Sequence, residues 1–221
     1  MRRRTSAAAG AVGLTFVQPE LFPQESSCHW RIPDGSLNLI SNFLPEAVHR
    51  SLMDQLTNSI KWEQSRIRIA GKLIHIPRLN AWYGDTNANY RYSGTRFQAL
   101  PWIDPLIRIK ELIEQYSDHN FNSVLANLYR DGQDSVAWHA DDEPELGKNP
   151  FIASLSLGQV RRFQLRHRID KSRARIDMDL PDNSLLLMGG SLQHYWMHQI
   201  PKTRKPVGPR INLTYRSVEA I

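Results

Sequence analysis

The sequence predicts a β-rich α+β domain, a β-sandwich or jelly roll with helices packed outside it. After Asn120, apolar and polar residues alternate in several short runs that are separated by turn residues. Before that point, two segments carry apolar residues at helical spacing. The 221 residues are 41% hydrophobic and 23% charged, which excludes full disorder and a fibrous repeat. A chain of this size buries roughly 70% of its unfolded surface, enough for one core.

Two helices are predicted in the first half of the chain. Pro45 fits a first helical turn, and the apolar residues that follow it at helical spacing are Ala47, Val48, Leu52, Leu56 and Ile60. A second helix is predicted to begin with Asp104 as N-cap and Pro105 in the first turn. Its apolar stripe consists of Leu106, Ile109, Ile113 and Tyr116. We expect both helices to pack against the core and to carry no chemistry.

Short strands account for most of the rest. Residues 65–76 form two extended runs around Ala70-Gly71, which predicts a hairpin. Period-two alternation predicts further strands at residues 151–157, 162–167, 175–180 and 210–216. The regular pattern of elements begins at Asn42.

Composition restricts the compartment and the partners. The first twenty residues, with Arg2, Arg3 and Arg4, predict a disordered basic tail, and an organelle-targeting segment is the alternative. A single cysteine, Cys28, cannot form an internal disulfide, so we expect a reducing, cytoplasmic location, associated with the nucleoid if the source is bacterial. The net charge of +6 favours an anionic partner. No apolar run approaches the roughly 18 residues of a membrane-spanning helix.

The last predicted strand has two chemically different faces. Its polar face consists of Arg210, Asn212, Thr214 and Arg216. A strand with a hydrated outer face explains this alternation, and spacing alone favours that interpretation. A strand that lines a cavity for a dicarboxylate is the alternative, because guanidinium groups bind carboxylates through two parallel hydrogen bonds.

A His-x-Asp motif is the second chemical signal. His139 and Asp141 point the same way if the segment is extended, so both can bind one ion. A surface acidic turn is the commoner explanation of such a motif. A further histidine would complete the two-His, one-carboxylate set of non-haem Fe(II). His194 and His198 are the candidates, and strand parity does not distinguish them.

Four motifs in the same order resemble the AlkB family of Fe(II)- and 2-oxoglutarate-dependent nucleic-acid dealkylases. They are Asn127-Leu128-Tyr129, His139-Ala140-Asp141, His198 before Ile200-Pro201, and the closing Arg210–Arg216 strand. The family places its distal histidine on an H-x-aliphatic-Pro segment, which indicates His198 rather than His194. The resemblance extends from about Leu37 to Val218, and four ordered matches are more specific than one.

The resemblance implies a double-stranded β-helix, a jelly-roll variant, with two outer helices and an N-terminal nucleotide-recognition lid. It implies a single domain at residues 21–221, with the lid at about 63–98 and the catalytic core at about 120–217. His139, Asp141 and His198 would hold Fe(II), with 2-oxoglutarate and O₂ as cosubstrates. The implied cosubstrate-binding residues are Asn127, Tyr129, Arg210, Asn212 and Arg216. Asp142 would brace Arg216.

By the same resemblance, the substrate is an N-alkylated base of the 1-methyladenine or 3-methylcytosine type in DNA. Direct-reversal repair would release formaldehyde, succinate and CO₂. The implied substrate-binding residues are Tyr90, Tyr92, Ser93, Asp142 and Glu143. Two alternatives remain open: the same chemistry on RNA or another methylated substrate, and a non-catalytic nucleic-acid-binding jelly roll.

Basic residues on either side of the expected pocket favour a polyanionic partner. Seven basic residues and one acid lie between Arg161 and Arg175. The residues assigned to the nucleic-acid backbone are Arg161, Arg162, Lys202, Arg204 and Lys205. Ala70 stands where duplex-specialised members of the family carry a bulky aromatic, so we expect single-stranded or locally opened DNA, with RNA as an alternative. We expect the protein to act as a monomer.

Overall fold

The fold is built from two antiparallel β-sheets and two helices that cover one of them. The computed structural model describes residues 27–69, 71–86, 88, 90–92, 95–97 and 99–219. Within these ranges the predicted jelly-roll architecture is confirmed. No helix among the described residues is long and apolar enough to cross a membrane.

The larger sheet has seven strands. From one edge to the other they are β1 (Ser27–Ile32), β2 (Gly35–Ser41), β13 (Ser184–Gly189), β10 (Ile152–Gly158), β15 (Arg210–Arg216), β8 (Ser123–Tyr129) and β5 (Leu79–Gly84). Two of these strands precede Asn42, so the regular structure begins earlier than the sequence pattern indicated. The β1–β2 turn is tight, with Asp34 at φ 63°.

The smaller sheet has four strands and faces the larger one. Its order is β12 (Ile176–Leu180), β11 (Arg161–His167), β14 (Trp196–Ile200) and β9 (Val136–His139). Two hairpins stand apart from the sheets: β3 (Arg66–Ile69) with β4 (Lys72–His75), and β6 (Tyr90–Tyr92) with β7 (Thr95–Phe97). The first is the hairpin that the sequence predicts, with Gly71 at φ 80° in its turn. Ala70 lies outside the described residues.

Three α-helices complete the described fold: α1 (Glu46–Ser59), α2 (Asp104–Ser117) and the short α3 (Leu192–Tyr195). Pro45 occupies the N-cap of α1, immediately before the first turn in which it was predicted. The start of α2 differs by one residue, because Ile103 occupies the N-cap and Asp104 is already helical. Asp104 makes no side-chain cap, and its carboxylate instead lies in the first turn, where the helix dipole favours negative charge.

Alternation along β10 decides what each sheet face touches. Ala153, Leu155 and Leu157 belong to a core that also contains the buried stripes of α1 and α2. Ile152, on the opposite face, belongs to a second core between the two sheets. The helices therefore cover one side of the larger sheet, and the space between the sheets is left for polar side chains as well as apolar ones.

Candidate metal centre and adjoining pockets

His139 and His198 meet because two strands of the smaller sheet pair in one register. β9 and β14 are antiparallel, and His139 lies directly opposite His198. Their ring centroids are 4.2 Å apart. Asp141 follows two residues after His139, and one potential ligand atom from each of the three side chains lies within 4.8 Å of the others. The sequence motif and the distal histidine thus form one cluster.

Asp141 is buried and ionised. Arg216 donates a hydrogen bond from Nη2 to Oδ1 of Asp141 at 2.7 Å, and both side chains are 4% exposed. Burial by itself would raise the pKa of Asp141, but the charge and hydrogen bond of Arg216 and the two neighbouring histidines together outweigh it, and the net pKa is lowered. The brace that the sequence analysis assigned to Asp142 is therefore made by Asp141. Asp142 forms an ion pair with Arg168 instead.

Both histidines are held neutral. Burial lowers the pKa of His198 to about 3, helped by the neighbouring His139, and burial also lowers the pKa of His139. The Nδ1 of His139 lies 2.8 Å from the carbonyl oxygen of Ala137, so Nδ1–H donates and Nε2 keeps its lone pair. Two neutral imidazoles and one carboxylate form the donor set that suits Fe(II).

His194 lies outside this cluster. It is on α3, and its Nε2 accepts a hydrogen bond from the backbone N–H of Asn149 at 3.3 Å. Of the two histidines that the sequence left open, the structure brings His198 to the other ligands. His194 instead holds the backbone of Asn149.

A polar pocket adjoins the cluster on the side of β15, and we call it the arginine pocket. Besides the three cluster residues, its polar lining consists of Arg78, Asn127, Tyr129, Ser154, Arg210, Asn212, Thr214 and Arg216. All seven residues of β15 are buried, so the exposed-strand interpretation is wrong and the cavity interpretation is confirmed. The larger sheet has the helices on one face and the smaller sheet on the other, which removes both faces of β15 from water.

Arg210 gives the arginine pocket its chemistry. It is 1% exposed, and its Nη2 donates to Ser156 Oγ at 2.8 Å. Its Nε and Nη1 have no hydrogen-bond partner among the described residues. Burial lowers the pKa of Arg210 to about 10, so the guanidinium is still charged at neutral pH. Buried, unsatisfied guanidinium donors fit a ligand carboxylate.

A second pocket, the outer pocket, opens toward the β3–β4 hairpin. It is lined by Ser65, Ile67, Ile76, Arg78, Asn80, Trp82, Leu125, His139, Asp141 and Arg216. Five of these residues also line the arginine pocket: Arg78, Leu125, His139, Asp141 and Arg216. The two pockets therefore meet at the metal-ligand cluster.

Comparison with known proteins identifies this arrangement. The 2OG-Fe(II) oxygenase superfamily matches residues 36–216, which include both sheets' pocket-lining strands and all three cluster residues. The alpha-ketoglutarate-dependent dioxygenase alkB homolog 3 of Bos taurus is 41% identical over 177 residues, covering 76% of this chain and 61% of that protein. The DNA oxidative demethylase ALKBH2 of Arabidopsis thaliana is 35% identical over 209 residues, covering 83% and 67%.

The chain belongs to the AlkB family of 2OG-Fe(II) oxygenases. It spans about three fifths of the length of its AlkB homolog 3 relatives. A solved structure, described as that of OsALKBH1, shares the fold with a TM-score of 0.61 at 18% identity, covering 86% of this chain and 100% of that one. The family's two named groups, Fe(II) and 2-oxoglutarate, match the two features of this AlkB-family site: a two-His, one-carboxylate cluster and a buried arginine with unsatisfied donors.

Arg78 is a site residue of this AlkB-family chain that the sequence analysis missed. It is buried, lines both pockets, and donates from Nε to Asn127 Oδ1 at 2.8 Å and from Nη1 to the Ser135 carbonyl at 3.2 Å. It reaches Asn127 because β5 pairs with β8, placing Leu79 opposite Leu128. The sequence analysis included Arg78 only in the lid segment, and no local pattern in the sequence indicated its contact with Asn127.

The predicted contact between Arg161 and the nucleic-acid backbone is wrong. It is 3% exposed, and its guanidinium donates to the carbonyls of Asp131, Asp134 and Pro201 at 2.8–3.1 Å. Its donors are therefore used inside the protein, where no phosphate reaches them. It supports the start of the loop after Pro201, on which Lys202, Arg204 and Lys205 are exposed.

The other predicted substrate contacts have mixed outcomes. Arg162 is half-exposed and paired with Asp179, so its charge is already partly neutralised. Glu143 is half-buried immediately before a 3-10 helix at Pro144–Leu146. The side chains of Tyr90 and Tyr92 and the whole of Ser93 lie outside the described atoms, so their assigned contacts stay predictions.

Proposed function

We propose that this protein is an Fe(II)- and 2-oxoglutarate-dependent dioxygenase that removes small alkyl groups from ring nitrogens of nucleobases in DNA. One observation carries the proposal: two chemically different pockets meet at His139 and Asp141, which form one cluster with His198. The arginine pocket suits a dicarboxylate. The outer pocket, whose ten lining residues include four apolar side chains and two arginines, leaves room for a second reactant. A site that binds the dicarboxylate and the second reactant together would hold the two molecules next to the same metal ligands.

We assign Arg210 to the distal carboxylate of 2-oxoglutarate. Its unsatisfied Nε and Nη1 supply charge-assisted donors at fixed positions in the guanidinium plane, which a single ammonium does not reproduce. The guanidinium carbon of Arg210 lies 5.2 Å from the centroid of the Tyr129 ring, a distance at which the ring face stabilises the positive charge. Asn212 donates a hydrogen bond from Nδ2 to Ser154 Oγ at 2.9 Å. Its amide nitrogen therefore stabilises the pocket wall.

His139, Asp141 and His198 are proposed to bind Fe(II). When bound, Fe(II) and 2-oxoglutarate with O₂ supply the oxidation of a methyl C–H to C–OH, while the keto acid becomes succinate and CO₂. Arg216 keeps Asp141 deprotonated and aimed at the cluster. An N-hydroxymethyl base is a hemiaminal, so it breaks down to formaldehyde and the unmodified base without further help from the protein.

The substrate assignment, 1-methyladenine or 3-methylcytosine, is supported by charge and by the relatives. An alkylated adenine or cytosine is cationic, and the half-buried carboxylate of Glu143 comes two residues after the proposed metal ligand Asp141, whereas Asp142 is already paired with Arg168. An altered base that pairs poorly is also cheaper to flip out of the stack. The exposed Lys202, Arg204 and Lys205 are available for phosphates. Relatives include proteins named DNA oxidative demethylase.

The test is a two-stage assay on the purified chain. Fe(II) and 2-oxoglutarate binding are measured without oxygen, and then air and a single-stranded oligonucleotide containing 3-methylcytosine are added. We expect formaldehyde and succinate in equal amounts, and an RNA oligonucleotide of the same sequence measures the preference between DNA and RNA. Asp141→Ala should abolish succinate formation, whereas Asp177→Ala, which removes an exposed carboxylate paired with Arg175, should not.

Two outcomes would overturn the proposal. Succinate at the wild-type rate in Asp141→Ala would show that this residue is not a ligand. Tight DNA binding by a wild-type protein that takes up neither iron nor 2-oxoglutarate would favour the non-catalytic alternative.

A further inference from the structure

The short helix α3 packs against the segment that carries Asp141. The backbone N–H of Asp141 donates to Oε1 of Gln193 at 3.1 Å. The next residue, His194, accepts the backbone N–H of Asn149, at the far end of the same segment. Gln193 is 1% exposed, so its carboxamide is fully enclosed.

The three cluster residues are positioned by different means. His139 and His198 lie opposite each other on paired strands, so the sheet register fixes both. Asp141 lies beyond the end of β9, and residues 140–143 belong to no strand or helix. Its backbone position therefore depends on side-chain contacts, and the hydrogen bond to Gln193 is the one that its own N–H makes.

The orientation of the Gln193 carboxamide is determined by its surroundings. The Asp141 N–H is a donor, so the group facing it must be the oxygen. The other end, Nε2, points to Met188 Sδ at 3.8 Å, a weak acceptor on β13. A buried side chain with both ends occupied has one orientation, and it spans from the larger sheet to the Asp141 segment.

We propose that Gln193 is a positioning residue for the metal centre: its Oε1 holds the Asp141 backbone so that the carboxylate reaches the ion bound by His139 and His198. Arg216 orients the same carboxylate from the other side. This inference rests on the metal centre assigned above. Removing a residue that orients a metal ligand typically lowers metal affinity 10- to 100-fold.

The test uses Co(II), whose visible absorption reports coordination geometry and whose binding needs no turnover. Gln193→Met removes the acceptor at nearly constant volume, and Gln193→Glu keeps an oxygen at the same place. Gln199→Met is the matched control, because Gln199 is on β14 next to His198 but pairs with Gln164 on the outer face of the smaller sheet. Circular dichroism and thermal unfolding measure folding of each variant.

We expect Gln193→Met to weaken Co(II) binding roughly 10- to 100-fold and to change its absorption spectrum. Gln193→Glu should retain most of the affinity and the wild-type spectrum, and Gln199→Met should retain both. If Gln193→Met does not fold, Gln193→Asn, which is one methylene too short to reach the Asp141 N–H, is used in its place with the same expectation.

Wild-type affinity and spectrum in a folded Gln193→Met or Gln193→Asn protein would overturn the inference. So would equal losses in Gln193→Met and Gln193→Glu, or equal losses in Gln193→Met and Gln199→Met, because the acceptor would then not be the cause. A wild-type protein that binds no Co(II) would instead overturn the metal centre itself, so the two failures are distinguishable.

Discussion

Replacing Arg210 by lysine isolates the role of its two unsatisfied donors. The guanidinium is buried, hydrogen-bonded to Ser156 through Nη2, and has Nε and Nη1 without a hydrogen-bond partner among the described residues. Lysine keeps the positive charge but offers a point charge rather than a planar fork. We therefore expect 2-oxoglutarate affinity to fall while metal affinity stays the same, since Arg210 is not part of the cluster.

The size of the effect follows from the number of bonds. A ligand that accepts charge-assisted hydrogen bonds from two guanidinium nitrogens loses at least one of them when arginine becomes lysine. Each such bond is worth about 1.5–3 kcal/mol. Because 1.4 kcal/mol is a factor of ten in binding, the dissociation constant for 2-oxoglutarate should rise roughly 10- to 150-fold.

The assay is calorimetric titration of the Mn(II)-loaded protein with 2-oxoglutarate, preceded by Mn(II) titration alone. Arg161→Lys is the matched control, because Arg161 also lies against Tyr129, at 5.5 Å from the ring centroid, yet its donors are used by backbone carbonyls. That variant should lose stability and keep its 2-oxoglutarate affinity. An unchanged 2-oxoglutarate affinity in Arg210→Lys, or equal losses in both variants, would refute the assignment.

Two further pairs of variants test the choice of metal ligand and the effect of backbone conformation on stability. His198→Ala should lose metal and His194→Ala should keep it, as measured by metal analysis after desalting, and the reverse result would show that the wrong histidine was assigned. Gly158→Ala should lower the free energy of unfolding by about 1–3 kcal/mol, because Gly158 has φ 84° and an added Cβ would lie 2.7 Å from the Pro209 carbonyl oxygen. Gly71 has a similar φ, but an added Cβ would meet no atom within 4 Å, so Gly71→Ala should lower the free energy of unfolding less than Gly158→Ala does in thermal denaturation. Equal losses of stability in the two variants would mean that the contact with Pro209 is unimportant.

Arg161 shows that the number of basic residues in a run does not predict which of them are exposed. A basic run of residues predicts a phosphate contact for Arg161, but strand parity places it on the same face as Phe163 and Leu165, which are buried. That signal was present in the sequence. The charge count was misleading because charge says nothing about direction, whereas alternation along a strand does.

Local periodicity predicted the class of fold and the apolar faces of α1, α2 and β10, because it records which residues of a helix or strand point the same way. It also predicted the strand β15 and the shared face of His139 and Asp141. It did not predict that the polar face of β15 is buried, since spacing alone favoured a hydrated face, and the chemistry of the site was indicated by the resemblance to the AlkB family.

The packing of sheets and helices brings together groups that are distant along the chain. His198 reaches His139 through the register of β9 and β14, Arg78 reaches Asn127 through the pairing of β5 with β8, and Gln193 reaches Asp141 across a helix contact. Each partner is far away along the chain, and no local pattern encodes that distance. The physical reason is that a buried polar group must find a partner, and which partner it finds depends on how the sheets and helices pack.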